Sequence, residues 1–322
     1  MRAIQISATG GPEVLTLRQV DTPSPGPGQI LIRHEAIGLN FIDIYQRSGL
    51  YPVPLPSTLG MEAAGVVEAL GEGVVRFKVG DRAAYCSNLG GYAEANVVQA
   101  DRAVKVPEGI GSDIAAACML KGLTSEFLAR RIWPLKSGDT VLVHAAVGGV
   151  GLILCQWLKS LGVRVIGAVG SGEKLDMALA HGCAEAINSR EEDVAARVRA
   201  LTAGQGVPVV YDSVGATTFE ASLASLRRRG LFVSFGNASG PAPAVEPLRL
   251  SRGGSLFMTR PTLFDYVATT EELDHAAAAL FDVIASGAVK IEIGQRFALE
   301  DTALAHEALA ARKTVGATVL TL

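Results

Sequence analysis

The chain has 322 residues, of which 49% are hydrophobic and 19% charged, and its formal net charge is −3. The length implies about two domains. The apolar share excludes a disordered chain, and the near-balanced charge excludes the basic surplus of a nucleic-acid or acidic-membrane binder.

The first part reads as β-rich. Short apolar runs such as Ile30-Leu31-Ile32 and Ala64-Gly65-Val66-Val67 stand between glycine and proline punctuation. Pro23 to Gly28 must be loop, and Gly71-Glu72-Gly73 and Gly80-Asp81 mark turns. Asp43 and Arg47, four apart, are expected to form a local helical ion pair. Near residue 120 the pattern changes. Thr140 to Ala145 reads as a buried strand, and a helix follows from about Val150 to Leu161, closed by Gly162. Val163 to Val169 is the next strand, followed by a helix from Lys174 to His181 ending at Gly182. Ala186-Ile187-Asn188, Val209 to Asp212 and Leu231 to Phe235 supply later strands, with helices at about 191–202 and 217–228 between them. Arg227-Arg228-Arg229 would then sit at a helix C-terminus, where cations are favoured. Strands alternating with helices imply a parallel sheet with right-handed crossovers. Beyond Ser255 to Thr259 the pattern loosens. A helix is expected over about 271–286, and a strand at Ala317 to Leu320. The expected fold class is α/β: a Rossmann-type parallel-sheet domain inserted in a discontinuous β-rich domain.

The four cysteines, Cys86, Cys118, Cys155 and Cys183, are widely separated and show no CxxC spacing, which argues against a disulfide framework or a zinc knuckle. No stretch approaches about 18 consecutive apolar residues. Met1 to Ile6 shows no long apolar signal segment, so a cytoplasmic protein is expected. His144 reads as a core residue of the strand before the glycine loop. His34, His181, His275 and His306 show no metal-ligand spacing.

The strongest local signal is Ala145-Ala146-Val147-Gly148-Gly149-Val150-Gly151, between a strand and a helix, where a dinucleotide-binding phosphate loop belongs. Gly148 would let the backbone approach a pyrophosphate, and Gly151 would let the helix pack on the strand. The helix N-terminus would supply free N–H groups. Ala146 stands where the first glycine of GxGxxG is usual. The region about 20 residues on, Gly170-Ser171-Gly172-Glu173-Lys174, ends its strand without an acidic residue for a ribose 2′-OH. Ser171 and Lys174 suit a 2′-phosphate instead, which favours NADPH, with Glu173 as the opposing charge. Asp212 ends a strand at the cofactor edge, with capping of the next turn as its plainer role.

Over essentially its whole length the chain resembles the medium-chain dehydrogenase/reductase superfamily, and within it the zinc-free quinone oxidoreductases, the group that includes zeta-crystallin. The resemblance rests on Asn40-Phe41-Ile42-Asp43, Arg47 to Pro52, Gly60-Met61-Glu62-Ala63-Ala64-Gly65, Gly80-Asp81-Arg82, Lys121-Gly122-Leu123-Thr124 and the glycine loop with Gln156 and Lys159. It continues through Tyr211 to Gly215, Ser234-Phe235-Gly236-Asn237 and Thr259-Arg260-Pro261. It implies a GroES-like catalytic domain over 1–121 and 262–322, and a Rossmann NADPH-binding domain over 122–261. Zinc alcohol dehydrogenases carry a zinc-binding Cys where this chain has Asn40 and a zinc-binding His where it has Met61. Neither replacement is a good zinc ligand. Cys118 lies near a third ligand position, and one cysteine cannot build a site. Glu62 and Asp43 are then read as structural carboxylates.

By the same resemblance Phe41, Ile42, Asp43, Ile44 and Tyr45 would line the nicotinamide side of the cofactor. Phe127, Gly148, Gly149 and Val150 would lie around the pyrophosphate. Gly170, Ser171, Gly172, Glu173, Lys174, Ser189 and Arg312 would surround the 2′-phosphate and its adenosine. Val214, Phe235, Gly236, Asn237, Ala238, Pro261, Thr262 and Leu263 would meet the ribose and nicotinamide. Relatives often have Tyr where this chain has Ser189, and a small residue in place of Val147.

The implied reaction is hydride transfer from NADPH to a small quinone without metal. Positioning is the main task, with hydrogen bonds to the developing phenolate oxygen. Asn40, Tyr45 and Tyr51 are the candidate donors, and Arg260 is a further anion-stabilising candidate. The alternative for both tyrosines is packing at the cleft wall, with water as proton source. Two rival functions stand beside this one. One is a zinc-free NADPH-dependent enone or aldehyde reductase. The other is a non-catalytic NADPH-binding or RNA-binding crystallin-like protein. A homodimer joined through the strand near Ser255 to Thr259 is implied by the resemblance, and neither nucleic acid nor membrane is an expected partner.

Overall fold

The structure is a computed structural model that describes residues 1–86 and 88–322. In chain order the elements are β1 (Arg2–Ile6), β2 (Thr16–Gln19), β3 (Gln29–Leu39), α1 (Phe41–Ser48), β4 (Ser57–Thr58), β5 (Glu62–Leu70), β6 (Arg82–Tyr85), β7 (Ala95–Gln99), β8 (Ala103–Lys105) and α2 (Ser112–Arg130). There follow β9 (Thr140–His144), α3 (Gly149–Ser160), β10 (Arg164–Val169), α4 (Leu175–Ala180), β11 (Cys183–Asn188), α5 (Val194–Leu201), β12 (Val207–Asp212), α6 (Phe219–Ser225), β13 (Leu226–Ser234), α7 (Pro247–Arg252) and β14 (Phe257–Thr259). The last are α8 (Leu263–Tyr266), α9 (Thr270–Ala285), β15 (Ile293–Ala298), α10 (Thr302–Ala310) and β16 (Ala317–Thr321).

These elements form two compact units: residues 1–123, 267–285 and 291–322, and residues 124–266 with 286–290. In the first unit, β3 is the organising strand. It pairs antiparallel with β5 and β16, and with β7 at its start. Two register shifts in the β3–β5 ladder, at Leu31/Ile32 and His34/Ala36, let one long strand serve several partners. The sheet runs β15-β16-β3-β5-β6-β8, and a smaller sheet runs β2-β1-β4. The core is built from Ile4, Ile6, Ile30, Ile32, Ile37 and Leu39, supplied by β1 and β3, with Tyr92 from the segment before β7.

In the second unit six parallel strands run in the order β11-β10-β9-β12-β13-β14. The order reverses on either side of β9, so the switch point of a doubly wound sheet lies at the end of β9. The strands read as continuous apolar runs, and β12 is buried at all six positions, as expected of a sheet covered on both faces. Glycine is obligatory at Gly151. A Cβ there would lie 2.2 Å from Ala145 O and 2.7 Å from Ala146 C, so the start of α3 packs directly on the turn.

Two expectations are corrected, and two helices are added. The helix expected over 217–228 stops at Ser225, and Arg227, Arg228 and Arg229 belong to β13. The β12–β13 ladder moves from Val207↔Leu226 to Val209↔Leu231, so the three arginines are the exposed part of a bulge and not a helix end. Asp43 and Arg47 do lie on one helix, but they turn to different partners. Asp43 accepts from Asn40 N and Tyr92 Oη, while Arg47 donates to Gly10 O and His306 Nδ1. Helices α2 and α10 were not anticipated. Helix α2 is buried along nearly all of its length, so it lacks the one-sided apolar stripe that reveals a helix in sequence.

Candidate functional site

In the second unit the sequence-predicted cofactor residues converge on the carboxyl ends of the parallel strands. Gly148, Gly149 and Val150 follow β9. Gly170 to Lys174 follow β10, Ser189 follows β11, Val214 follows β12, Phe235 to Ala238 follow β13, and Pro261 to Leu263 follow β14. This is the edge at which doubly wound sheets take their ligands. Gly148 is the N-cap of α3 and offers no side-chain cap. The first amides of α3 therefore point out of the helix with its positive dipole end, and both favour an anion. The left-handed residue of the turn is Ala145 (φ 52°), while Ala146 N still bonds Ala168 O at 3.1 Å. The bend thus needs no glycine at Ala146, which accounts for the departure from GxGxxG.

After β10, Ser171 to Lys174 form a tight turn closed by Lys174 N donating to Ser171 O at 3.2 Å. Gly170 and Gly172 face open space. Lys174 has its ammonium pKa pulled down by partial burial and by the neighbouring Arg190 charge, with Glu173 opposing. Ser189 gives its hydroxyl to Val169 O at 2.9 Å. Asp212 caps the turn after β12, as read from the sequence: its Oδ1 accepts from Val214 N (2.7 Å) and Gly215 N (3.1 Å), and its Oδ2 from Thr218 Oγ1 and Ser222 Oγ (both 2.7 Å). Phe127 is placed in the core, stacked on Tyr266 at 4.1 Å and almost wholly buried, so no face of its ring is open to a ligand. His144 is buried as expected, with its pKa lowered by burial.

In the first unit Asn40 caps α1. Its backbone N–H donates to Asp43 Oδ2 at 2.8 Å and its side-chain amide to Glu62 Oε2 at 2.8 Å. Glu62, on β5, is fully buried and also accepts from Lys121 Nζ at 3.0 Å and Leu120 N at 2.7 Å. Gly38 makes room for this carboxylate: a Cβ there would lie 2.3 Å from Glu62 Oε2. Glu62 is thus the structural carboxylate expected. Its charge is matched by Lys121 and its oxygens are held by three donors. Met61 is buried, and the Cys118 thiol donates to Ala115 O at 3.6 Å. Among the described residues no group of three or more His, Cys, Asp or Glu is arranged to hold a metal ion.

The carboxylate of Asp43 turns into the core, away from the exposed surface on which a cofactor contact was expected. A directed chain of hydrogen bonds ends on it. Arg47 Nη1 donates to His306 Nδ1 (3.2 Å), which leaves Nε2–H to donate to Tyr92 Oη (3.0 Å). Tyr92 donates in turn to Asp43 Oδ2 (2.7 Å). Burial raises the Asp43 pKa to about 7 against the lowering effect of Tyr92 and Asn40, and burial with the Arg47 charge lowers that of His306 to about 3. Sequence reading missed Tyr92 and His306, which lie 49 and 263 positions from Asp43 and carry no local motif. On the same helix Phe41 and Ile44 are half-buried, and Tyr45 lies edge-on to Tyr51 at 5.2 Å. Arg312, also in this unit, is exposed just after α10.

A doubly wound sheet with an uncapped glycine turn at its switch point, joined to a unit of antiparallel strands, defines a two-domain dinucleotide-binding class. Comparison with known proteins narrows it. Residues 26–108 match the alcohol dehydrogenase GroES-like domain, and residues 149–282 match the zinc-binding dehydrogenase family. The chain is 54% identical to a quinone oxidoreductase of Pseudomonas aeruginosa, with 99% of each chain covered. It is 41% identical to a 2-haloacrylate reductase of Burkholderia, covering 99% of this chain and 98% of that one. The crystal structure of Escherichia coli quinone oxidoreductase complexed with NADPH superposes with a TM-score of 0.98 at 46% identity and full coverage of both chains. The chain belongs to the quinone oxidoreductase family of the medium-chain dehydrogenase/reductase superfamily.

Proposed function

We propose that this protein reduces a small quinone with a hydride from NADPH, without a metal. The observation that carries the reading is the uncapped N-terminus of α3 behind the Ala145–Gly151 turn, at the switch point of the sheet, with Lys174 at the end of the next strand. The α3 amides fit a pyrophosphate, and the open turn at Gly170 to Gly172 fits the ribose and its 2′-phosphate. NADPH bound there would supply the hydride. Gly148, Gly149 and Val150 would hold the pyrophosphate, and Ser171 and Lys174 the 2′-phosphate. The backbone of Val214, Phe235 to Ala238 and Pro261 to Leu263 would orient the rest.

The candidate acceptor-binding side chains lie in the first unit. Asn40 uses one amide N–H on Glu62, and its NH₂ has a second to offer. Asn40, Tyr45 and Tyr51 hold and orient the quinone oxygen on which negative charge develops. A quinone needs no Lewis acid, because its acceptor orbital is low and its reduced ring is aromatic. The residues agree with that. Asn40 and Met61 are poor zinc ligands, and Glu62 is bound to Lys121. We further assign the working form as a homodimer. Among the described residues edge strand β14 has only β13 beside it, and it carries Phe257 about half exposed. A cytoplasmic location fits four cysteines that are all free and buried.

An acceptor panel tests the assignment. With NADPH as donor, kcat/KM for a naphthoquinone is expected to exceed that for a conjugated enone or 2-chloroacrylate by at least about tenfold. A higher value for the enone or the haloacrylate would transfer the assignment to reduction of activated C=C bonds.

A further inference from the structure

The ends of β10 and β11 are tied together. The strands pair through Val169↔Asn188, and Ser189 gives both its backbone N–H and its hydroxyl to Val169 O, each at 2.9 Å. A serine has one hydroxyl proton. Ser189, at the position where the resemblance expects a tyrosine, therefore has no donor left for an anion. The residue after it does. Arg190 donates its backbone N–H to Asn188 Oδ1 at 3.2 Å, and this short turn carries it out of the sheet, where it is exposed.

Arg190 stands within electrostatic reach of Lys174. Among the described residues no carboxylate pairs with its guanidinium. Glu192, two residues on, is occupied elsewhere: its Oε1 accepts from Asn188 N at 3.1 Å and its Oε2 faces Arg197 Nε at 3.6 Å. Two like charges held together on two tied turns repel, and a bound dianion relieves the repulsion. A guanidinium grips phosphate oxygens in pairs, whereas the Lys174 ammonium acts as a point charge.

We propose that Arg190 is a specificity-determining residue that binds the 2′-phosphate of NADPH together with Lys174, in place of the donor that Ser189 lacks. The inference rests on the NADPH reading above. It makes cofactor choice in this chain depend on an arginine one position beyond the one the family pattern marks.

The test is the dissociation constant for NADPH and for NADH, read by cofactor fluorescence without any acceptor, in the wild type and in Arg190→Gln and Arg190→Lys. Loss of one charge-assisted contact is expected to weaken NADPH by about tenfold in Arg190→Gln. NADH binding should stay within about twofold, and Arg190→Lys should recover part of the loss. Adenosine 2′-monophosphate should compete with NADPH less well in Arg190→Gln than in the wild type, while adenosine 5′-monophosphate competes equally in both. An unchanged NADPH-to-NADH ratio in Arg190→Gln, in an enzyme whose wild type prefers NADPH, would overturn the role of Arg190 alone. A wild type with no NADPH preference would overturn the cofactor reading and this inference with it.

Discussion

At the sheet ends of the second unit the candidate residues are half exposed and present mostly backbone: uncapped amides of α3, glycines at 170 and 172, and turns closed by main-chain bonds. Around α1 in the first unit the candidates are buried or half-buried, and side chains hold them: Glu62 by Asn40 and Lys121, and Asp43 by Tyr92, His306 and Arg47. The backbone-built site needs glycine and helix geometry, and it tolerates sequence change wherever the main chain does the binding. The side-chain-built site needs charge and hydrogen-bond balance, and it fails when one partner is removed.

The largest expected effect breaks that balance. Glu62→Ala removes the carboxylate that balances the buried Lys121 charge, which costs about 3–5 kcal/mol and is read as a large fall in Tm. The double change Glu62→Ala with Lys121→Met should recover much of the loss, and a double variant as unstable as the single would contradict the pairing. Next comes Gly151→Ala. The added Cβ would sit 2.2 Å from Ala145 O, so overpacking of about 1–3 kcal/mol should accompany loss of NADPH affinity. Unaltered NADPH binding in this variant would place the cofactor elsewhere.

The pH dependence sharpens the contrast on the side of the first unit. The folded pKa of Asp43, about 7, is above its unfolded value, so the folded state binds the extra proton and this group's contribution to stability falls as pH rises toward 7. His306 has the opposite sign. Its folded pKa, about 3, is below the unfolded value, and its contribution is lost as pH falls from about 6.5 toward 3. The Tm advantage of Asp43→Asn over the wild type should therefore grow between about pH 4 and pH 7 and level off above. A difference independent of pH would contradict the buried state of Asp43. The smallest effect is on chemistry: Tyr45→Phe or Tyr51→Phe should lower kcat with quinone by about tenfold, equivalent to one hydrogen bond in the transition state, and leave NADPH affinity alone.

What the sequence disclosed follows the same division. The parallel strands, the glycine turn and the cap at Asp212 were legible, because apolar runs and turn residues are local signals. The chain from Arg47 to Asp43 was not, because it joins residues 259 and 214 positions apart on three separate segments. The Asp43–Arg47 pair expected from spacing alone gave way to it: a fully buried carboxylate gains more from two well-placed donors than from a neighbour on its own helix. The arginines at 227–229 were misplaced for a related reason. A bulge that exposes three cations on a strand looks, in one dimension, like the polar end of a helix.

The functional assignment stands on metal-free hydride transfer from NADPH to a quinone. The most direct measurement is NADPH oxidation with a naphthoquinone by enzyme dialysed against EDTA, run in parallel with NADH. Undiminished turnover after chelation and a clear preference for NADPH are expected. Activity that disappears on chelation and returns with zinc would contradict the assignment.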